Sequence, residues 1–229
     1  MTPEQLVAYI EHTILRPDAT EADIRFVCRE ALRYRFAAVV VNPAHVVAAA
    51  EEIKGSSTGL VTVAGFPLGA SRTETKIVEA VRGAIDGASE IDLVANIGWI
   101  IGGEYEKVES EINLVRRTLP IGTVLKVIIE ASLLTQQQQI DAARTVINGG
   151  AQFVKTGTGF SGGVTTEQVR TLAALVGGLV QIKAAGGIRT PQQCRDLIEA
   201  GASRLGCSAS VQILEAMTTS TGDLANRSD

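Results

Sequence analysis

Short apolar runs alternate with amphipathic stretches along the whole chain. The apolar runs lie at 37–43, 59–67, 90–96, 124–130, 151–157, 179–186 and 203–207, with a weaker one at 10–15. Most of these runs are apolar at nearly every position, which is typical of parallel strands that are covered on both faces. The pattern therefore predicts eight parallel strands.

Helical patterns occupy the segments between these runs. The stretch 71–88 carries an apolar stripe that includes Val78 and Ile85. A second helix is predicted at 104–119, where one side carries the residues Tyr105, Val108, Ile112 and Val115. Two more helices are predicted from the residues at their ends. One begins near Thr135 and ends at Gly149-Gly150. The other begins at Thr190-Pro191 and ends at Gly201.

Eight strands that alternate with helices predict an α/β fold, a (β/α)8 TIM barrel with a short N-terminal helix. The alternative is a doubly wound open sheet, which would carry a glycine-rich dinucleotide turn after its first strand. The corresponding stretch VVVNPAH (39–45) is not such a turn. We expect one barrel domain over 1–217 and a polar, frayed tail over 218–229.

Composition narrows the choice of partners and location. The 229 residues are 45% hydrophobic with a net charge of -4, which argues against nucleic acid or an anionic membrane as the main partner. No apolar run approaches the roughly 18 residues that span a bilayer, and the N-terminus does not resemble a signal peptide. Three widely spaced cysteines indicate reduced thiols in the cytoplasm. With only two histidines, a zinc site or a Ser-His-Asp relay would be difficult to build.

Four consecutive strands each carry an ionisable residue inside an apolar run: Asp92, Lys126, Lys155 and Lys183. Any one of them could point outward, but four unpaired buried charges would cost several kcal/mol each, so we expect one cluster in the barrel interior. An excess of positive charge in such a site lowers the pKa of a lysine, and a neutral lysine attacks carbonyl carbons. This pattern indicates Schiff-base chemistry, without deciding whether Lys155 or Lys183 is the nucleophile.

The loops after the last strands are candidates for a phosphate site, as in many barrel enzymes. The residues that allow close backbone approach or supply hydroxyls there are Gly186, Gly187, Gly206 and Ser208, and the neighbouring loop contributes Thr156, Thr158 and Gly159. Arg189 and Arg204 are either further sources of positive charge or surface residues.

Six motifs together resemble the deoxyribose-phosphate aldolase family: GFPLGASRTETK (65–76), GASEIDLVANIG (87–98), VLKVIIE (124–130), FVKTGTGF (153–160), IKAAGGIRT (182–190) and RLGCS (204–208). They follow the order of the family over about residues 8 to 212. The resemblance implies a barrel that reversibly cleaves 2-deoxy-D-ribose 5-phosphate to acetaldehyde and D-glyceraldehyde 3-phosphate in deoxyribose phosphate catabolism. It also implies no metal and no cofactor, and a homodimer.

The resemblance assigns roles that strand parity leaves open. Lys155 matches the lysine that forms the imine, Lys183 the lysine that lowers its pKa, and Asp92 the carboxylate that moves protons. Lys126, Thr13 and Glu11 are auxiliary candidates, and Glu11 stands where many relatives carry Asp. The alternatives are a phosphate-binding isomerase or synthase in which the lysines are only anion ligands, and a barrel that binds without catalysis.

Overall fold

Eight parallel strands close into a barrel in the order in which they occur along the chain. The computed structural model describes the backbone of residues 1–225 and the side chains of residues 1–218. The strands are β1 (Ile10–Ile14), β2 (Ala38–Val41), β3 (Gly59–Ala64), β4 (Glu90–Val94), β5 (Val124–Ile128), β6 (Phe153–Lys155), β7 (Gln181–Ala185) and β8 (Arg204–Cys207). All eight predicted strands are confirmed, and most end a few residues before the apolar run does.

Helices connect the strands and cover the outside of the barrel. They are α1 (Pro3–Leu6), α2 (Glu21–Tyr34), α3 (Val46–Glu52), α4 (Thr73–Ile85), α5 (Ile97–Ile101), α6 (Tyr105–Thr118), α7 (Gln136–Asn148), α8 (Thr166–Val176), α9 (Pro191–Glu199) and α10 (Ser210–Ala225). A threonine hydroxyl begins α2, α7, α8 and α9 by accepting a backbone N–H of the first turn, and the side chain of the third helical residue bonds back. These capping boxes fix the residue at which each of the four helices begins.

Helix α6 buries the predicted residues Val108, Ile112 and Val115. The stripe predicted for α4 is wrong in part, because Val78 and Ile85 are 67% and 66% exposed. The face of α4 that packs on the barrel is centred on Lys76, Ala80 and Gly83, with Ile77 and Ala84 of the predicted stripe beside them.

That inner face of α4 carries a buried ion pair. The Lys76 ammonium lies 2.9 Å from a carboxylate oxygen of Glu111 in α6, and both side chains are fully buried. The Thr73 hydroxyl, at the first turn of α4, donates to the other oxygen of Glu111 at 3.1 Å. Since a buried lysine stands where an apolar residue would be expected, hydrophobic periodicity places the stripe too far toward the exposed side of the helix.

Apolar side chains form the core in two places. The larger cluster fills the layer between the strands and the helices. A second, small cluster consists of Ala38, Val40, Val61 and Val63 on β2 and β3. By strand alternation these four residues point into the barrel, so this part of the interior is apolar.

The last helix extends beyond the predicted end of the domain. Ile213, Leu214 and Met217 anchor α10 in the core, and the helix continues to Ala225. The stretch from 218, predicted to be frayed, is thus helical as far as it is described, and residues 226–229 lie outside the described part. The division of the chain at 217 stays a prediction. Within residues 1–225, none of the helices has the length and apolar character needed to cross a membrane.

Candidate active site

Neighbouring strands place their charged residues side by side inside the barrel. Asp92 of β4 is in register with Lys126 of β5, and Lys155 of β6 is in register with Lys183 of β7. All four side chains are buried, with 3% exposure or less. The structure therefore brings together the four residues that strand parity selects.

The carboxylate of Asp92 is the common partner of the three lysines. One of its oxygens, Oδ2, accepts hydrogen bonds from Lys155 Nζ at 2.8 Å and from Lys183 Nζ at 2.6 Å. The other, Oδ1, lies 3.3 Å from Lys126 Nζ. Lys155 and Lys183 thus share a single oxygen atom, which holds their two amines close to each other.

Glu11 is a second buried carboxylate of this cluster. It enters from β1, where its Oε1 lies 3.0 Å from Lys126 Nζ, and its Oε2 accepts a hydrogen bond from Lys183. Thr13, two residues along β1, donates its hydroxyl to the backbone carbonyl of Glu11 at 2.9 Å. Glu11 therefore lies at the centre of the site, bridging Lys126 and Lys183.

The surroundings shift the pKa values of Lys155 and Lys126 in opposite directions. Burial lowers the pKa of Lys155 to about 8; the Asp92 carboxylate acts in the opposite direction, and the charge of Lys183 lowers the pKa further. Burial would lower the pKa of Lys126 as well, but the carboxylates of Asp92, Glu11 and Glu90 outweigh it and raise that pKa above its ordinary value. Near neutral pH, Lys155 therefore has an appreciable uncharged fraction, while Lys126 is a fixed cation.

The two central carboxylates remain ionised. Burial by itself would raise the pKa of Asp92, but the charges of Lys126, Lys155 and Lys183 outweigh it and hold the pKa well below 3.8. The pKa of Glu11 is lowered in the same way, since the charges of Lys126 and Lys183 outweigh its burial. Asp92 can therefore act as a proton acceptor beside the Lys155 amine.

Two further charges extend the cluster toward the N-terminal ends of the strands. Glu90, the first residue of β4, contacts Lys126 Nζ. Arg204, the first residue of β8, has Nη1 at 3.6 Å from Glu11 and 3.9 Å from Glu90. Glu90 was not predicted, although it has the same strand parity as Asp92. Arg204 was expected either to add charge at the phosphate loops or to lie at the surface, and it lies instead at the opposite end of the barrel.

A cavity of about 490 Å³ opens above the cluster. Lys155 lies at its floor, and its lining includes the predicted residues Thr13, Thr158, Gly159, Gly186, Gly187, Gly206 and Ser208. Arg16 and Arg189 also line it. The cavity therefore connects the amine of Lys155 with loops that follow β6, β7 and β8.

Two predicted threonines use their donors within the protein. The Thr156 hydroxyl bonds to the backbone of Ala185, with distances of 3.1 Å to the carbonyl oxygen and 3.0 Å to the nitrogen. The carboxylate of Glu130 accepts the hydroxyl of Thr158 and also its backbone N–H, at 3.2 Å. These contacts fix the loop after β6, so Thr156 and Thr158 shape the site rather than offer free donors to a ligand.

The glycine pair after β7 requires backbone freedom. Gly186 and Gly187 have φ of +112° and +71°, which side chains rarely tolerate. A Cβ on Gly186 would lie 2.8 Å from the backbone oxygen of Gly162. Gly186 therefore lets two loops approach each other at the edge of the cavity.

Among the residues that the structure describes, no group of three or more His, Cys, Asp or Glu side chains is arranged to hold a metal ion. The three cysteines, Cys28, Cys194 and Cys207, are buried free thiols. The functional groups at the floor of the cavity are thus amines and carboxylates.

Fold and site together define a (β/α)8-barrel protein with a buried, partly uncharged lysine beside a second lysine, the environment in which an amine becomes nucleophilic. A curated deoxyribose-phosphate aldolase from Desulfitobacterium hafniense is 46% identical over 216 residues, covering 93% of this chain and 99% of the relative. A deoxyribose-phosphate aldolase from Deinococcus radiodurans is 47% identical over 210 residues, covering 91% and 95%. This chain belongs to the deoxyribose-phosphate aldolase family.

The fold agrees with that membership. The solved structure of the deoxyribose phosphate aldolase from Aeropyrum pernix superimposes with a TM-score of 0.87 at 34% identity, covering 95% of this chain and 93% of that one. No protein-family model matches the chain. The (β/α)8 barrel predicted from the sequence is confirmed by the closed barrel and by this likeness.

Proposed function

We propose that this chain catalyses the reversible cleavage of 2-deoxy-D-ribose 5-phosphate to acetaldehyde and D-glyceraldehyde 3-phosphate through an imine on Lys155. The observation that carries the proposal is the lowered pKa, about 8, of an amine that lies at the floor of a cavity and 2.8 Å from a carboxylate. The names of the close relatives support the choice of substrate.

In the first half of the reaction, uncharged Lys155 adds to the aldehyde carbon C1 of the open-chain sugar phosphate. Loss of water from the carbinolamine gives a protonated imine, which is an electron sink. The C3 hydroxyl then loses its proton, the C2–C3 bond breaks, and its electron pair moves into the imine. Glyceraldehyde 3-phosphate leaves, and an enamine of two carbons remains on Lys155.

In the second half, the enamine is protonated at C2, and water releases acetaldehyde from the resulting imine. Asp92 is the base for these proton transfers, because it is ionised and contacts the Lys155 amine directly, and it acts as the acid when it returns the proton that it has accepted. Lys183 contributes positive charge beside Lys155, and Glu11 and Lys126 hold Lys183 and Asp92 in place. Synthesis follows the same steps in reverse.

The loops above the cluster hold the phosphate at the C5 end of the sugar. Gly159, Gly186, Gly187, Gly206 and Ser208 line the cavity there, and their backbone N–H groups and the serine hydroxyl are suitable phosphate donors. Binding this remote group orients the reacting carbons over Lys155. The ligands are then a small phosphorylated sugar and acetaldehyde, with no part for nucleic acid or a membrane.

Borohydride reduction in the presence of acetaldehyde tests the imine. We expect a two-carbon adduct on the peptide that contains Lys155, detected by mass spectrometry. An adduct on Lys183 alone would contradict the assignment of the nucleophile. No adduct at all would favour the isomerase or synthase alternative, in which the lysines are only anion ligands.

The homodimer and the cytoplasmic location remain our predictions for this chain. The relative from Aeropyrum pernix is described as tetrameric, so light scattering of the purified protein decides between two and four copies. Free buried cysteines favour a reducing compartment. Cell fractionation with an antibody to the chain tests this location.

A further inference from the structure

Charges of alternating sign run from the N-terminal end of the barrel to its centre. Arg204 lies within 4.0 Å of Glu90 and Glu11, Glu90 contacts Lys126, and Lys126 contacts Asp92. Glu90 and Arg204 do not line the cavity described above. Among the described side chains, they connect to the Lys155 amine through other charged groups.

When Lys155 is left out, the positive and negative formal charges along this line are equal in number. The carboxylates are Glu11, Glu90 and Asp92, and the cations other than Lys155 are Lys126, Lys183 and Arg204. Three negative charges thus meet three positive ones. A proton on Lys155 adds one uncompensated positive charge to a buried site, which the low dielectric constant penalises.

The groups that face this line from the other strands are uncharged. On β2 and β3 they are the apolar residues Ala38, Val40, Val61 and Val63. On β6, below Lys155, the Phe153 ring lies 5.7 Å from Lys126 Nζ. Cys207, at the C-terminal end of β8, has the opposite parity to Arg204, and its free thiol is hydrogen-bonded to that of Cys194. Within the described side chains, these six charges and Lys155 therefore form one connected group in the barrel interior. The titratable side chains on the other side of Lys155 are His12, Arg16, Glu30 and Arg189, which line the cavity, and Glu130, whose carboxylate bonds to Thr158.

We propose that Glu90 and Arg204 are positioning residues that set the protonation of the Lys155 amine from the far end of the barrel, through Lys126, Glu11 and Asp92. This inference rests on the proposed function, since it concerns the same amine. Glu90 and Arg204 would then influence the reaction although neither of them lines the cavity.

The two residues act with opposite sign. Glu90→Gln removes a negative charge and keeps the shape, so the proton on Lys155 is lost at lower pH. Arg204→Gln removes a positive charge, so the proton is retained to higher pH. A unit charge at about 10 Å with an effective dielectric constant of about 20 shifts such a midpoint by roughly one pH unit. A purely structural role would lower activity without moving the two midpoints apart.

The experiment measures imine formation on Lys155 against pH. Protein and acetaldehyde are mixed at a series of pH values and quenched at short times with borohydride, and the adduct on the Lys155 peptide is quantified by mass spectrometry. We expect the midpoint of the rise with pH to move down by about one unit in Glu90→Gln and up by about one unit in Arg204→Gln. Arg204→Lys, which keeps the charge, should return the midpoint toward that of the wild type.

A matched control removes an ion pair on the outside of the barrel, in which Arg82 is exposed and Asp86 is partly buried. Arg82→Gln and Asp86→Asn change the same kinds of charge on α4, and their midpoints should equal that of the wild type. Midpoints of Glu90→Gln and Arg204→Gln that stay in place, or that move in the same direction, would overturn this inference alone. Absence of an adduct in the wild type at every pH would overturn the proposed function, and this inference with it.

Discussion

Replacing Lys183 by methionine tests how the site makes an amine reactive at neutral pH. Methionine keeps most of the length of the side chain but removes the charge that lies on the same Asp92 oxygen as the Lys155 amine. Without that charge, Asp92 holds the proton on Lys155 more firmly, and the pKa of Lys155 moves back from about 8 toward 10.5. The reaction needs the uncharged amine, so the limb of the rate profile that rises with pH moves to higher pH.

The magnitude has an upper bound that follows from the pKa of Lys155. At pH 7 an amine of pKa 8 is uncharged in about one molecule of 11, and one of pKa 10.5 in about one of 3,000, a ratio of roughly 300. Burial is the larger cause of the lowered pKa and persists in the variant. We therefore expect a loss of kcat/KM at pH 7 between about tenfold and roughly 300-fold, much of which is regained near pH 9 to 10.

The assay is the pH dependence of kcat/KM for cleavage, followed by reduction of the released aldehydes with a coupled dehydrogenase. Lys54→Met, the same replacement at an exposed position on the surface, is the control and should leave the profile unchanged. A Lys183→Met profile that falls equally at every pH, with its limb still near pH 8, would refute the reasoning. Lys183 would then contribute to the rate without lowering the pKa of Lys155.

Three further changes test other parts of the molecule. Lys155→Leu removes the amine itself, so cleavage should fall below detection while circular dichroism stays that of the wild type; substantial remaining activity would move the imine elsewhere. Lys76→Met leaves the buried Glu111 carboxylate without its cation, which should cost about 3–5 kcal/mol in urea unfolding. The added change Glu111→Leu should recover most of this loss, and no recovery would contradict the ion-pair argument. Glu130→Met removes the acceptor that fixes the loop of Thr158 beside the phosphate site, so the loop loses its order and KM for the sugar phosphate should rise about tenfold while KM for unphosphorylated deoxyribose stays constant. An equal rise for both would show a general disturbance.

The alternation of side chains along a strand made the centre of the site predictable. Asp92, Lys126, Lys155 and Lys183 lie at positions of one parity in neighbouring strands, and a charge buried in that way needs partners. The same rule applies to Glu90, two residues before Asp92. It was missed because a charged residue at the first position of a strand is ordinarily taken as its solvated end.

Contacts between distant elements were beyond what the sequence could predict. The partner of Lys76 lies 35 residues away on another helix, and only the packing of α4 against α6 brings the two charges together. Glu130 likewise bonds to Thr158, 28 residues later, because the chain turns sharply after β5, where Glu130 has a φ of +51°. Such pairings depend on loop conformations and on the angle between helices, which no local pattern specifies.

The apolar part of the barrel interior belongs to the chemistry as much as the charges do. Burial is the largest cause of the lowered pKa of Lys155, and the barrel achieves it by placing Val63 in register with Asp92 and Val61 in register with Glu90. These valines exclude water from one side of the charged line, so the charges interact through a medium of low dielectric constant. If the same lysines and carboxylates were arranged at a solvated surface, screening would return the pKa of Lys155 toward 10.5. The division of the interior into an apolar and a charged part is therefore what turns a set of ion pairs into a site with an uncharged amine.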